Sequence, residues 1–175
     1  RDVAPSRGLG DVYKRQVLNN VDVINAKVVS FSSNVSPAVA VYGTATLNDC
    51  DIYGTTLSEL DTDPMWPVYD LVGVNYSTTT INGGKIGSIL TWNQAALVVE
   101  NGAEVEKIVV KGNMNLNKPE WCITIKAGTT VGIIDLSAIT TKSKVNIAIE
   151  TGATVGKIVA NGVEYDSIEE FKNAQ

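Results

Sequence analysis

Three segments of this chain superimpose on a glycine, and that repeat constrains the fold more than any other feature. They are LVVENGAEVEKIVV (97–110), ITIKAGTTVGIIDL (123–136) and IAIETGATVGKIVA (147–160). Each follows Φ-x-Φ-x-x-G-[AT]-x-V-x-x-I-x-Φ, where Φ is apolar. Gly102, Gly128 and Gly152 anchor the alignment at spacings of 26 and 24 residues. Val105, Val131 and Val155 then fall at one matching offset, and Ile108, Ile134 and Ile158 at another. Self-similarity at such a period marks an array of stacked units.

The pattern has a direct physical reading. Φ-x-Φ sends alternate side chains to one face, as a short strand does. The glycine follows where the chain must turn and where a positive φ costs glycine nothing. The Val and Ile beyond it lack sustained helical spacing, so they read as a second short strand after a corner. A looser version occupies the N-terminal half: VINAKV (23–28), TLNDCDI (46–52) and TINGGKI (80–86). Asn25, Asn48 and Asn82 take the corresponding positions, and asparagine tolerates left-handed backbone at a corner. Strands are expected at AVAVYG (38–43) and LVGVNYSTT (71–79).

These features predict an all-β fold, a single-stranded parallel β-helix (β-solenoid) over residues 17–166. At about 24 residues per unit the chain holds about six to seven coils, a rod about 30 Å long. Inward ladders of Val and Ile and corner ladders of Gly or Asn are expected, because like residues stack on like. Helical repeats would need a 10–15-residue amphipathic stretch in each unit, and none is present before residue 167. A β-sandwich also accommodates short strands, but the regular glycine register favours the solenoid. In the tail YDSIEEFKNAQ (165–175), Ser167 and Glu170 form a capping-box signature, with Ile168 and Phe171 on one helical face. Residues 167–175 therefore read as a short helical cap over the last open edge, with a frayed terminus as the alternative.

Arginine is distributed unevenly. Arg1, Arg7 and Arg15 are the only three, and none follows residue 15. The stretch SRGLGDVYKRQ (6–16) resembles a sequencing-library adapter translated in frame. Residues 1–16 are accordingly expected to lie outside the fold, and the rest is expected to be a fragment whose N-terminal cap is missing. Without them, ten lysines face seventeen acids, a net charge of −7 against −5 for the whole chain. Such a surface repels phosphate backbones, so no nucleic-acid partner is expected. No apolar run reaches the roughly 18 residues of a membrane span. Cys50 and Cys122 form no CxxC pair and the chain has no histidine, so neither a zinc site nor any other metal or cofactor is expected. The two cysteines read as small apolar residues, with a disulfide left open.

The half-repeats AVAVYGTATLNDCDIYG (38–54) and TTTINGGKIG (78–87) resemble non-catalytic members of the pectate-lyase-like right-handed parallel β-helix superfamily. Such modules occur in bacterial surface proteins and phage tail proteins. The resemblance covers most of residues 17–166 and implies right-handed coiling, an extracellular, cell-surface or virion location, and in phage-like cases a homotrimer. Catalytic relatives of that type use an arginine base with calcium-binding carboxylates, or clustered aspartates with His and Arg-x-Lys. Residues 17–175 hold neither Arg nor His, so neither constellation is available.

The segment ELDTDPMWPVYD (59–70) interrupts the repeat with two prolines and several acids, and reads as a loop projecting from a corner. Asp61, Asp63, Trp66 and Tyr69 are its candidate ligand-binding residues. The aromatics offer flat faces to a carbohydrate and the acids offer acceptors. The competing reading folds Trp66 back over the rod and leaves the acids solvated. Asp61-x-Asp63 lacks an EF-hand pattern. Trp92 and Trp121 precede strands in adjacent repeats, as a binding stripe or as corner packing. The function expected is a non-catalytic structural or adhesive segment of a larger protein, with a cell-surface glycan as its partner class. The alternative is a polysaccharide-degrading or carbohydrate-binding β-helix whose active coils lie upstream.

Overall fold

The structure, a computed structural model, describes residues 11–12, 16–28, 35–59, 67–112 and 122–174. The chain opens with β1 (Asp11–Val12), β2 (Gln16–Asn19), β3 (Asp22–Ile24) and β4 (Lys27–Val28). Then come β5 (Ser36–Val41), β6 (Thr44–Tyr53) and β7 (Thr56–Leu57), followed by β8 (Val68–Gly73), the long β9 (Thr78–Trp92), β10 (Ala96–Glu100) and β11 (Glu104–Gly112). The last part holds β12 (Ile123–Ile125), β13 (Thr130–Ile139), a 3-10 turn at Lys142–Lys144, β14 (Ile147–Ile149), β15 (Thr154–Ala160), β16 (Val163–Tyr165) and helix α1 (Ile168–Asn173).

The protein is all-β. Among the described residues, 14 strands join in one curled, mixed sheet, and β4 and β7 form a separate parallel pair. Within the large sheet only the β15–β16 pairing is antiparallel. The register places equivalent apolar residues side by side in three strips. Leu18, Leu47, Ile81, Val99, Ile125 and Ile149 are neighbours along the first. Val23, Ile52, Ile86, Val105, Val131 and Val155 follow one another along the second. The third runs Val39, Leu71, Ile89, Ile108, Ile134, Ile158. All but Ile149 belong to or pack against one continuous core. Each fully buried member contributes about 1.5–3 kcal/mol. A one-residue slip would turn a whole strip toward water, which is why the glycine-anchored sequence alignment and the pairing register coincide over the last three repeats.

The corner after the first strip is left-handed at every level. Asn20, Asp49, Gly83, Asn101, Gly128 and Gly152 all have positive φ there. Beside it runs a ladder of amides: Asn48 donates to Asn19 at 2.7 Å, Asn82 donates to Asn48 at 2.6 Å, and Asn101 donates to Asn82. The expected ladder position of Asn25 is corrected to Asn19. An apolar-Asn pair occurs twice within this stretch, at Leu18-Asn19 and Ile24-Asn25. Pairing selects the first because it alone puts Leu18 against Leu47 and Val23 against Ile52. Asn25 instead sits at another corner, where its N–H donates to the Tyr53 carbonyl at 2.9 Å.

Two further boundaries differ from expectation. The predicted strand over 71–79 is broken by a turn in which Ser77 N–H donates to the Val74 carbonyl at 2.8 Å and Tyr76 has φ of 63°. Strand pairing also begins before Val17: Asp11 and Val12 lie beside Ala40 and Val41, and Gln16 beside Ala45. This corrects the expected start of the ladder. The edges of β5 and β6 present backbone N–H and C=O groups with which an extended segment pairs whatever its side chains. Residues 1–10 and 13–15 lie outside the described residues.

At the other end, the Ser167 hydroxyl accepts from Glu170 N–H at 3.0 Å and caps α1, a contact worth about 1 kcal/mol. The Glu170 carboxylate reaches past the usual box to the Asp166 N–H at 2.6 Å. Ile168 and Phe171 are buried, and Tyr165 meets the Phe171 ring edge-on at 5.3 Å.

Candidate functional site

Of the four loop residues proposed for ligand contact, Asp61, Asp63 and Trp66 lie outside the described residues, as does Trp121. Tyr69 is not in a projecting loop. It belongs to β8, where it pairs with Pro37 of β5. The β-prone run Val68-Tyr69-Asp70-Leu71-Val72 resumes the ladder three residues earlier than the loop reading allowed.

Tyr69 packs on the outer face of the third strip. Along that face Val72, Leu90 and Val109 stand in register and form a second apolar cluster, separate from the main core. Tyr69 and Trp92 lie against it, half-buried, together with Val35 and Val74. The next position in the register after Val109 is Asp135, and the one after that is Val159. The apolar column is thus interrupted by one carboxylate.

Asp135 is held firmly. Lys107 Nζ lies 2.7 Å from its Oδ2, and Ser137 N–H donates to its Oδ1 at 3.0 Å. Burial pulls its carboxyl pKa upward, but the hydrogen bonds from Lys107 and Ser137 and the charge of Lys107 outweigh it. The result is a pKa below the usual carboxylate value. The Tyr69 hydroxyl is shifted the other way: burial first, then the negative charge of Asp135, raise its pKa. Lys111, paired with Trp92 across β11 and β9, places its ammonium 4.9 Å from the indole ring. Such cation–π contacts are worth about 0.5–1 kcal/mol at a surface, so a ligand stacking on this face of Trp92 must displace only a weakly held cation.

The surface therefore carries two aromatic side chains, two lysines and an aspartate on one face of the sheet. Flat rings suit the apolar faces of sugar rings, and Asp135 and the lysines suit their hydroxyls. Tyr69 and Trp92 had been singled out from sequence, Tyr69 as a ligand contact in a projecting loop and Trp92, with Trp121, as a binding stripe or corner packing. Asp135, Lys107 and Lys111 had not. The signal for Asp135 was the x of the I-x-Φ element, which reads Val, Asp, Val in the three aligned repeats.

A second polar cluster has a structural role. Buried Asp70 accepts from Thr55 N–H at 2.8 Å, from Ser88 N–H at 2.6 Å and from the Ser88 hydroxyl at 2.8 Å. It ties β8 to β9 and to the chain leading into β7. Cys50 is buried in the core and Cys122 partly so, and both are free thiols. Among the described residues no three His, Cys, Asp or Glu side chains gather as a metal site, and no helix is long and apolar enough to cross a membrane. No family model, curated protein or solved structure matches the chain.

Proposed function

We propose that this chain is a segment of a single-stranded parallel β-helix, serving as a non-catalytic structural or adhesive element of a larger protein at an extracellular, cell or virion surface. The observation that carries the reading is the register: three apolar strips and one asparagine ladder, each repeated from strand to strand. A stack of that kind is a stiff spacer, because each unit is braced by its neighbours. The sequence resemblance to surface and tail β-helices supplies the location.

A second reading is favoured by Tyr69, Trp92 and Asp135. On this view the outer face of the third strip contacts glycans. Incubation with a panel of bacterial and plant polysaccharides separates the readings. The structural reading expects neither reducing ends nor unsaturated products. Turnover that disappears in Asp61→Ala would overturn it. Glycan retention lost in Trp92→Ala would establish the second reading, and retention unchanged in that variant would remove it.

A further inference from the structure

The last strand of the first strip has one unused edge. On either side of β14, the Asn146 carbonyl accepts from Ile123 N–H and Glu150 N–H donates to the Ile125 carbonyl, so alternate residues face β12. Strand alternation then turns the N–H and C=O groups of Ile147 and Ile149 to the opposite side. Among the described residues no strand pairs there. The inward side chains tell the same story. Val99 and Ile125, at the same register position in earlier strands, are 0% exposed, whereas Ile149 is 37% exposed. β16 and α1 cover the end of the third strip but leave a groove of about 540 Å³ beside β14, floored by Ile147, Ile149 and Val155. Glu164, Asp166 and Glu169 also line it, and two of these carboxylates are already paired, Glu164 with the lining Lys157 at 3.0 Å and Glu169 with Lys172 at 2.8 Å.

We propose that this groove binds an extended peptide segment of a partner protein, added as a strand to the free edge of β14. The backbone edge sets the geometry. The apolar floor calls for apolar residues at alternate positions of the peptide. With three carboxylates against two paired lysines the lining keeps a net negative charge, which favours a basic peptide and disfavours an acidic one. The repeat itself shows what the edge accepts, since each earlier strand of the strip takes a Φ-x-Φ neighbour in parallel register.

The test titrates the full 15N-labelled chain with a blocked synthetic peptide, ITIKAG, the sequence of residues 123–128. Amide shifts confined to residues 147–149 and 164–169 are expected, with saturation. A peptide with glutamate replacing its lysine should bind roughly fivefold more weakly. Ile149→Pro removes an edge donor together with one partly exposed floor side chain, which an edge strand tolerates, and should abolish binding while circular dichroism and the melting temperature stay near those of the parent. No shift at β14, equal binding of the two peptides, or undiminished binding by Ile149→Pro overturns the proposal. So does concentration-dependent self-association that fills the groove with a second copy.

Discussion

Close backbone stacking makes particular residues obligatory. Gly84 has φ of +75°, and a Cβ there would lie 2.3 Å from the Cys50 carbonyl oxygen and 2.6 Å from its nitrogen. Gly102 has the same φ but open space around it. Gly84→Ala is therefore expected to cost about 2–4 kcal/mol, because backbone must move as well as strain, and Gly102→Ala about 1–2 kcal/mol. Urea unfolding of the two variants checks the difference, and equal losses would show that stacking distance does not matter at Gly84. Asp135 carries a pH dependence. Its folded pKa is depressed, so its contribution is complete above the unfolded value of about 3.9 and is lost as pH falls through the lower folded value. The stability gap between the parent and Asp135→Asn should be present at pH 7 and shrink at pH 2.5. A gap that stays constant would mean that the carboxylate charge plays no part.

Legibility from sequence differed between elements. The last three repeats were readable because Val105, Val131, Val155 and their isoleucine partners share one spacing and one inward face. The earlier repeats were less so. Asn25 mimicked Asn19 locally, and only pairing with the next strand decided between them. The strand over 71–79 failed at Tyr76, whose left-handed backbone has no local signal in that side chain. Tyr69 was assigned to a loop because Pro64 and Pro67 precede it, yet the strand restarts at Val68. The Tyr69–Trp92–Asp135 surface joins residues far apart in the chain, so no local motif announces it. Helix α1 was legible from Ser167, Glu170, Ile168 and Phe171 together. Phe171 is 1% exposed and packs against Tyr165, with Lys142 Nζ 5.4 Å from its ring. Phe171→Ala is expected to cost about 3 kcal/mol, seen as a lower urea midpoint, because it opens the end of the core. An unchanged midpoint would show that α1 is not a plug.

At the scale of the whole molecule, the account rests on parallel pairing in which equivalent repeat positions are neighbours. The core, the asparagine ladder, the outer aromatic surface and the free edge of β14 all follow from that register. Parallel strands need long connections between partners, here the length of a whole repeat, so the register is set by the stacked apolar strips and not by tight hairpins. Cross-strand amide contacts in a deuterated, 15N-labelled sample measure it most directly. The account predicts contacts that link the Val98, Thr124 and Ala148 levels in sequence, and the Lys107, Ile133 and Lys157 levels likewise. Antiparallel contact patterns between β10, β12 and β14, or parallel patterns displaced by one residue or more, would contradict it.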